Sequence, residues 1–480
     1  MENARSILIL NRAIFLVSVL FFSHGCKPKS THLRNLELPK SSKSWKSIES
    51  NETTLDNNLT HWVHSFDSKK LNLAIYEAWN NNPELKSLAE HVIARGEEAV
   101  ISGADILPYF DAGVSGTRSK RNLVGFNFPN GDTSFTSNSF NAGLNLSWEI
   151  DLWGKIREQK KSSVKKFELA KSEFEGARLS LAGKVAMAWF TIVENRRQLE
   201  LAVKTTSTFV KNDEYLDNRF ANGLVSSLEK DLSSNALASA QANLSLINRT
   251  LNLSMRKFEL LLGKDQGIMN ENNFSNQLPD FKRLPLPPTP SETLQARPDI
   301  QMAQLQLEAA GHDLSAARKN LLPSISISGT NGSRSDEFNN LLDSKFKTWE
   351  LTGSISQPIF NNGRLRANIR RSEALKLAAK ANYISLAQRA FHEVETILAN
   401  DFYLKQETNY LQTAAQAANS AAKTSWNRYQ NGILDIFDTL ESQRRAFNAE
   451  SRLLSAKKER LLNRIQLFLA LGLSALPSTK

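Results

Sequence analysis

The chain has 480 residues, one cysteine and a formal net charge of +11. Lys and Arg are scattered, with no basic stripe interleaved with aromatics, which argues against a nucleic-acid partner. A single cysteine excludes an intrachain disulfide, and no run of about 18 consecutive apolar residues is present that could cross a bilayer as a helix.

The first residues have the layout of an export signal. Arg5 and Arg12 make a positive n-region, and residues 13–22 (AIFLVSVLFF) make an apolar core too short to span a bilayer. Ser-His-Gly-Cys follows. A cysteine directly after such a core, preceded by Gly25, resembles a bacterial lipoprotein processing site. It predicts that residues 1–25 are removed as a signal peptide and that Cys26 is acylated. An ordinary cleavable signal with an incidental cysteine is the alternative. Lys27 stands where many inner-membrane-retained lipoproteins carry an acid, which points to the outer membrane. Residues 26–65 are polar and rich in Ser, Lys and Asn, so they read as a lipidated tether lying on another surface rather than as a domain.

The next unit, 66–290, opens with a helix. After Pro108, Phe110, Ala112 and Val114 alternate with Asp111, Gly113 and Ser115. Further on, Phe140, Ala142, Leu144, Leu146, Trp148 and Ile150 alternate with Asn141, Gly143, Asn145, Ser147, Glu149 and Asp151. A period of two predicts strands at about 109–121 and 137–151, each with one apolar and one polar face, joined by a Gly/Asn/Ser-rich loop at 122–136. No proline falls between Pro129 and Pro279. From about Gly154 to Arg219 nothing breaks a helix, which at ~1.5 Å per residue would be about 100 Å long. The phrase NRFANGL at 218–224 then interrupts it. A second helix returns, with Leu237, Leu244, Leu251 and Phe258 every seven residues, the period of coiled-coil-like packing. A proline cluster, PDFKRLPLPPTP at 279–290, reads as an extended linker.

The unit 291–480 repeats this plan. Ile325 and Ile327 alternate with serines, and Trp349, Leu351 and Ile355 alternate with Glu350, Thr352, Ser354 and Ser356, predicting strands at about 323–334 and 347–360 around a loop at 335–346. A helix follows from about Gly363 to Arg428, then NRYQNGI at 427–433. The returning helix carries Ile433, Leu440, Phe447, Leu454, Leu461 and Phe468 every seven residues. A shift of 209 carries Asn218 onto Asn427, Gly154 onto Gly363, Arg157 onto Arg366, Leu244 onto Leu453 and Gly263 onto Gly472. Upstream, a shift of 215 carries Pro83 onto Pro298, Gly96 onto Gly311 and Pro108 onto Pro323. Because the residues in register are those that break helices and make turns, we read two copies of one unit. Chance similarity between amphipathic helices is the alternative. Each NG phrase turns a long helix into its antiparallel partner, with Gly223 or Gly432 free to adopt a left-handed conformation. The small residues of AAQAANSAA at 414–422 suit a helix packed closely on two neighbours.

The strand lengths suit an outer-membrane barrel, although the alternation would also suit a soluble sheet. Export, Cys26, and Trp148 and Trp349 near strand ends favour the membrane. Four strands per chain cannot close a barrel, and open edges are not tolerated in lipid. Several chains must contribute, and three would supply twelve strands. Catalysis has little support: the histidines are scattered, His61 and His64 share a face without a third ligand, and there is no P-loop or GxSxG motif.

Seven stretches carry a family resemblance: WVHSFDSKKLNLAIYEAWNNNPEL (62–85), WEIDLWGKIR (148–157), LQARPDI (294–300), LLPSISISG (321–329), SQPIFNNGRLR (356–366) and the two NG turns. Together they make the chain resemble the TolC-like outer-membrane efflux proteins, in the lipoprotein branch associated with resistance–nodulation–division pumps. The resemblance covers essentially the whole mature chain. It implies an α+β membrane protein: a homotrimer with a twelve-strand outer-membrane β-barrel, continued by a long periplasmic α-helical barrel, with two structural repeats per chain. It implies a periplasmic membrane-fusion adaptor and an inner-membrane efflux pump as partners, outer-membrane lipid around the barrel, and no cofactor. Asn222, Gly223, Leu224, Asn431, Gly432 and Ile433 fall at the adaptor-docking turns. Asp438 and Glu441, with Asp435 one turn earlier, fall where the family places the acidic rings of a periplasmic gate. Asp438 and Glu441 are three apart and share a helix face. The alternative is that they are ordinary helix-terminal charges, with Glu441 pairing to Arg444 or Arg445. The expected function is a passive conduit for small molecules or ions, not an enzyme. A duct for type I protein secretion and a pore-less outer-membrane-tethered coiled-coil scaffold are the alternatives.

Overall fold

The structure, a computed structural model, describes residues 45–46, 61–122, 134–269, 274–275, 277–279 and 287–476. All of these belong to one unit, Pro39–Lys480. The signal segment 1–25, Cys26, most of the tether, and most of the loop 122–136 and of the linker 279–290 lie outside the described residues.

Helix α1 (Lys69–Asn81) starts at Ser68, whose hydroxyl oxygen accepts the Leu71 N–H at 3.3 Å. Asn82 then caps α2 (Pro83–Ala104) by accepting the Leu85 N–H at 3.2 Å. Pro83 takes the first helical position, where the missing N–H has no intrahelical partner to lose. The same device recurs later in the chain, where α5 (Pro290–Ala296) and α6 (Pro298–Lys319) each start on a proline.

Strands β1 (Tyr109–Asn122), β2 (Ser134–Ile150), β3 (Ser324–Ser335) and β4 (Lys347–Ser356) form one antiparallel sheet in the order β1-β2-β3-β4. Phe110 stands opposite Leu146, Trp148 opposite Ile327, and Ile325 opposite Ile355. Strand β4 stops at Ser356 instead of running to 360. Pro358 has no N–H to give a ladder, and the chain turns through Asn362 at φ 51°. The connection between β3 and β4 contains two short 3-10 turns, Phe338–Leu342 and Ser344–Phe346.

The long helices α3 (Lys155–Ala221) and α7 (Arg364–Gln430) have 67 residues each. Both their starts (364 − 155) and their ends (430 − 221) differ by 209. The returning helices are α4 (Ser227–Leu262) and α8 (Ile436–Ala470). The two turns share one hydrogen-bond pattern. Gly223 N–H donates to Phe220 O and Leu224 N–H to Arg219 O, both at 2.9 Å; Gly432 N–H donates to Tyr429 O and Ile433 N–H to Arg428 O, both at 2.9 Å. The glycines sit at φ +71° and +72°, which an L side chain adopts only with strain. Ile433, the head of the heptad series, lies in the turn and is exposed because α8 starts only at Ile436, whereas Leu440, Leu461 and Phe468 are buried.

Within the chain α3 packs on α4 and α8, and α8 on α7, so α4 and α7 end a row of four long helices. Helices α2 and α6 pack on α3, and α6 also packs on α7. The largest core gathers Trp62, Phe66, Trp189, Phe190, Phe258 and Phe468 where residues 62–66, α1, α3, α4 and α8 meet. Trp62 stacks on Phe468 with ring centres 5.7 Å apart. The Trp62 and Val63 N–H groups donate to the Ser474 and Ala475 carbonyls at 3.2 and 3.4 Å. Burying each such aromatic stabilises by about 1.5–3 kcal/mol, so this cluster holds the middle of the helical rows together. Among the described residues, no helix is long and apolar enough to cross a membrane.

Candidate functional site

The register gives the sheet two chemically different faces. One carries Phe110, Val114, Leu144, Leu146, Trp148, Ile327, Leu351 and Ile355, and the other carries Asp111, Asn145, Ser147, Ser326, Ser328, Thr352 and Ser354. On the apolar face Val114, Trp349 and Ile355 are 71%, 80% and 74% exposed. On the polar face side chains bond to one another across strands: Asn145 Nδ2 donates to Asp111 Oδ2 at 2.8 Å, and the Ser326 and Ser354 hydroxyls are 2.7 Å apart. Apolar residues left this open on one side of a hydrogen-bonded polar wall suit a sheet set between lipid and water. Strands β1 and β4 are the sheet's edges, each with one ladder side unpaired among the described residues.

The junction between sheet and helices is charged. The Asp151 carboxylate accepts the backbone N–H of Ile156 (3.0 Å) and Arg157 (2.9 Å), and also Arg157 Nε (3.2 Å). Burial alone would raise its pKa, but these donors outweigh burial and hold it below the usual carboxylate range. Glu158 meets His312 Nδ1 at 2.8 Å and Lys319 Nζ at 3.2 Å, tying α3 to α6. Burial pushes this carboxyl up, the hydrogen bonds from His312 and Lys319 pull it down, and the net result is a pKa of about 2. Sequence reasoning missed this set because its members are 154 and 161 residues apart; only the acid–base character of each residue was visible.

The two turns are brought together at the far end of the helices. Tyr215 on α3 packs edge-on against Trp426 and Tyr429 on α7, at 5.8 and 6.4 Å, within a cluster that also buries Leu216, Ile436 and Leu440. Asn222, Gly223, Leu224, Asn431, Gly432 and Ile433 are all exposed. Leu224 and Ile433, at matched positions, are 64% and 70% open to solvent. Among the acids, Asp435 is the N-cap of α8, its Oδ1 accepting the Asp438 N–H at 2.8 Å. Asp438 is exposed, and its carboxylate has no side-chain partner among the described residues. Glu441 is held by Arg444 through two 2.8 Å bonds and by Arg445 through a third at 2.8 Å. These hydrogen bonds, Arg444 first, hold its pKa at about 2. The structure thus joins Asp435 to Asp438 and commits Glu441 to two guanidinium groups on its own helix.

Both halves of the chain match one family profile, described as outer membrane efflux protein, over residues 74–264 and 289–473. The chain is 28% identical over 412 residues to "Outer membrane protein OprJ" of Pseudomonas aeruginosa, covering 86% of this chain and 85% of that one. It is 26% identical to "Probable outer membrane lipoprotein SilC" of Salmonella typhimurium, covering 86% of this chain and 88% of that one. Among solved structures, the Campylobacter jejuni CmeC outer membrane channel superposes with a TM-score of 0.85 at 25% identity, covering 93% of this chain and 95% of that chain. With the profile spanning both halves, the protein belongs to the outer membrane efflux protein family and resides in the outer membrane.

Proposed function

We propose that the protein is the outer-membrane channel of a tripartite efflux system. It passes small molecules or ions from a periplasmic adaptor and an inner-membrane pump to the exterior, and catalyses no reaction. The observation that carries this reading is the two-faced sheet with both edges open. In lipid the free backbone groups of β1 and β4 need partners, and further copies of the chain supply them. Three copies of a four-strand sheet make a closed wall of twelve strands.

The helices give the same indication. Leu246, Leu253 and Leu260 on α4 and Tyr403 and Tyr410 on α7 are exposed on the two helices that end the row. Of the small residues at 414–422, only Ala415 is buried within one chain. Neighbouring copies would cover these faces, and three rows of four helices would continue the barrel as a tunnel made from two structural repeats per chain. The exposed turns around Gly223 and Gly432 would then be the adaptor-docking tips. Asp438, with Asp435 and Glu441, would form rings of carboxylate near the narrow end. Lipid on Cys26 would add a tether; SilC is itself named a probable lipoprotein.

Purified protein in a planar bilayer should conduct ions, and its mass in detergent should be three times that of the mature chain. A correctly assembled trimer without conductance would move the assignment to a pore-less scaffold. Export of a polypeptide with no export of small toxic molecules would move it to a secretion duct.

A further inference from the structure

We infer that the start of α7 holds an anionic phospholipid of the periplasmic-side leaflet of the outer membrane. The inference rests on the reading above, in which the strands span the membrane and the helices leave it on the periplasmic side.

The argument begins with a difference between the two copies. At the start of α3 three cations have acidic partners: Lys155 pairs with Glu149 at 2.5 Å, Arg157 with Asp151 at 3.2 Å, and Lys161 with Glu158 at 3.4 Å. Shifting by 209 residues keeps all three cations, as Arg364, Arg366 and Arg370. The same shift removes all three acids: Glu149 becomes Pro358, Asp151 becomes Phe360 and Glu158 becomes Ala367. The three arginines are exposed, and none of their side chains has an ion-pair or hydrogen-bond partner among the described residues. The first turn of α7 contains no acid, so cations cluster at a helix end where the macrodipole disfavours them. An anion from outside the chain would relieve both conditions.

The neighbouring surface indicates which anion. Ile359 and Phe360, directly before the arginines, are 81% and 85% exposed. They follow β4 closely in the chain, and the last large apolar residue of that strand, Ile355, is 74% exposed. Acyl chains would therefore lie beside Ile355, Ile359 and Phe360, and the headgroup would lie beside the guanidinium groups. Arg364 to Arg370 covers about 9 Å of helix, similar to the depth of one headgroup layer, roughly 5–8 Å. Guanidinium groups bind phosphate through paired hydrogen bonds. Free phosphate would satisfy the arginines but leave the apolar rim unexplained. In the first copy Asp151 stands in place of Phe360 and the cations are already neutralised, so the preference is confined to the second copy.

The test uses the detergent-purified full-length assembly, titrated with phosphatidylglycerol or with phosphatidylcholine of the same acyl chains, with bound lipid counted by native mass spectrometry. Phosphatidylglycerol should bind at least about tenfold more tightly, given roughly severalfold for each basic residue at an anionic surface. The triple change Arg364→Gln/Arg366→Gln/Arg370→Gln should abolish that preference. Arg249→Gln/Arg256→Gln/Lys257→Gln, which removes the same charge from α4, should keep it. Equal binding of the two lipids by the unaltered protein, or an unchanged preference in the triple variant, overturns the inference. So does dissociation of the triple variant into single chains in both lipids, which would mean that the arginines pair with carboxylates of a neighbouring copy. Conductance of the same preparation tests the channel reading separately, so equal binding of the two lipids by unaltered protein that conducts overturns this inference alone.

Discussion

Asn212 on α3 donates its side-chain N–H to Gln443 Oε1 on α8 at 2.7 Å, and both side chains are buried, so the two hairpins are locked by an amide pair inside their shared face. Replacing either residue by Ala leaves a buried amide without its partner and should cost about 1–3 kcal/mol. The double change should cost clearly less than the sum of the single changes. Thermal unfolding followed by helical circular dichroism checks this, and strictly additive losses would mean that the bond contributes nothing.

Glu158 should make stability depend on pH in acid. Its folded-state pKa is about 2, below the ordinary unfolded value of about 4.3. As pH falls, the unfolded chain therefore takes up the proton first. The stabilisation is complete above about pH 4.3 and is lost progressively towards about pH 2. Glu158→Gln should flatten this part of the profile and cost about 1–2 kcal/mol at neutral pH, because the amide removes the negative charge and replaces one of the two oxygens that accept from His312 and Lys319 by an NH2 donor. Melting temperatures of the two proteins between neutral and acidic buffer give the comparison; parallel curves would remove Glu158 from the acid response.

Asp438 should carry more of the ion selectivity than Glu441. Asp438 is exposed without a side-chain partner among the described residues, whereas Glu441 is neutralised by Arg444 and Arg445. Carboxylate rings near a constriction favour cations. Asp438→Asn should lower cation selectivity in a planar bilayer and weaken blockade by multivalent cations. Glu441→Gln should act indirectly, by releasing Arg444 and Arg445. If assembled Asp438→Asn protein keeps its selectivity and its blockade, Asp438 is a helix-terminal charge and not a gate residue.

The turns should matter to partner binding and not to the pore. Leu224→Ser and Ile433→Ser alter exposed side chains at matched places, so folding should be little changed. Capture of a periplasmic membrane-fusion adaptor, the partner proposed above, should weaken while bilayer conductance stays the same. Full adaptor capture by the double variant would take these two side chains out of the docking surface.

Acylation of Cys26 is tested by mass spectrometry of the mature N-terminus, which should show acyl chains on that residue. Cys26→Ser should remove them and weaken membrane retention of unassembled chains, without preventing assembly of the barrel. A mature N-terminus at another residue would end the lipoprotein assignment.

Local periodicity was enough to see the strands and long helices, because side-chain spacing of two or of about 3.5 follows from backbone geometry and needs no knowledge of neighbours. The alternation from Phe140 to Ile150 lies within β2, and the NG phrases mark the turns at Gly223 and Gly432. The misjudged details also have local causes: Pro358 ends β4 early, and the turn takes Ile433 out of its heptad. Only the packed chain brings together residues far apart in sequence. It places Glu158 against His312 and Lys319, Asn212 against Gln443, and α4 and α7 at the ends of their row. It also chooses among partners that sequence leaves open. Of the cations on α8, Arg444 and Arg445, three and four residues beyond Glu441, both reach it, because helix phase puts that spacing on one face and side-chain reach closes the gap.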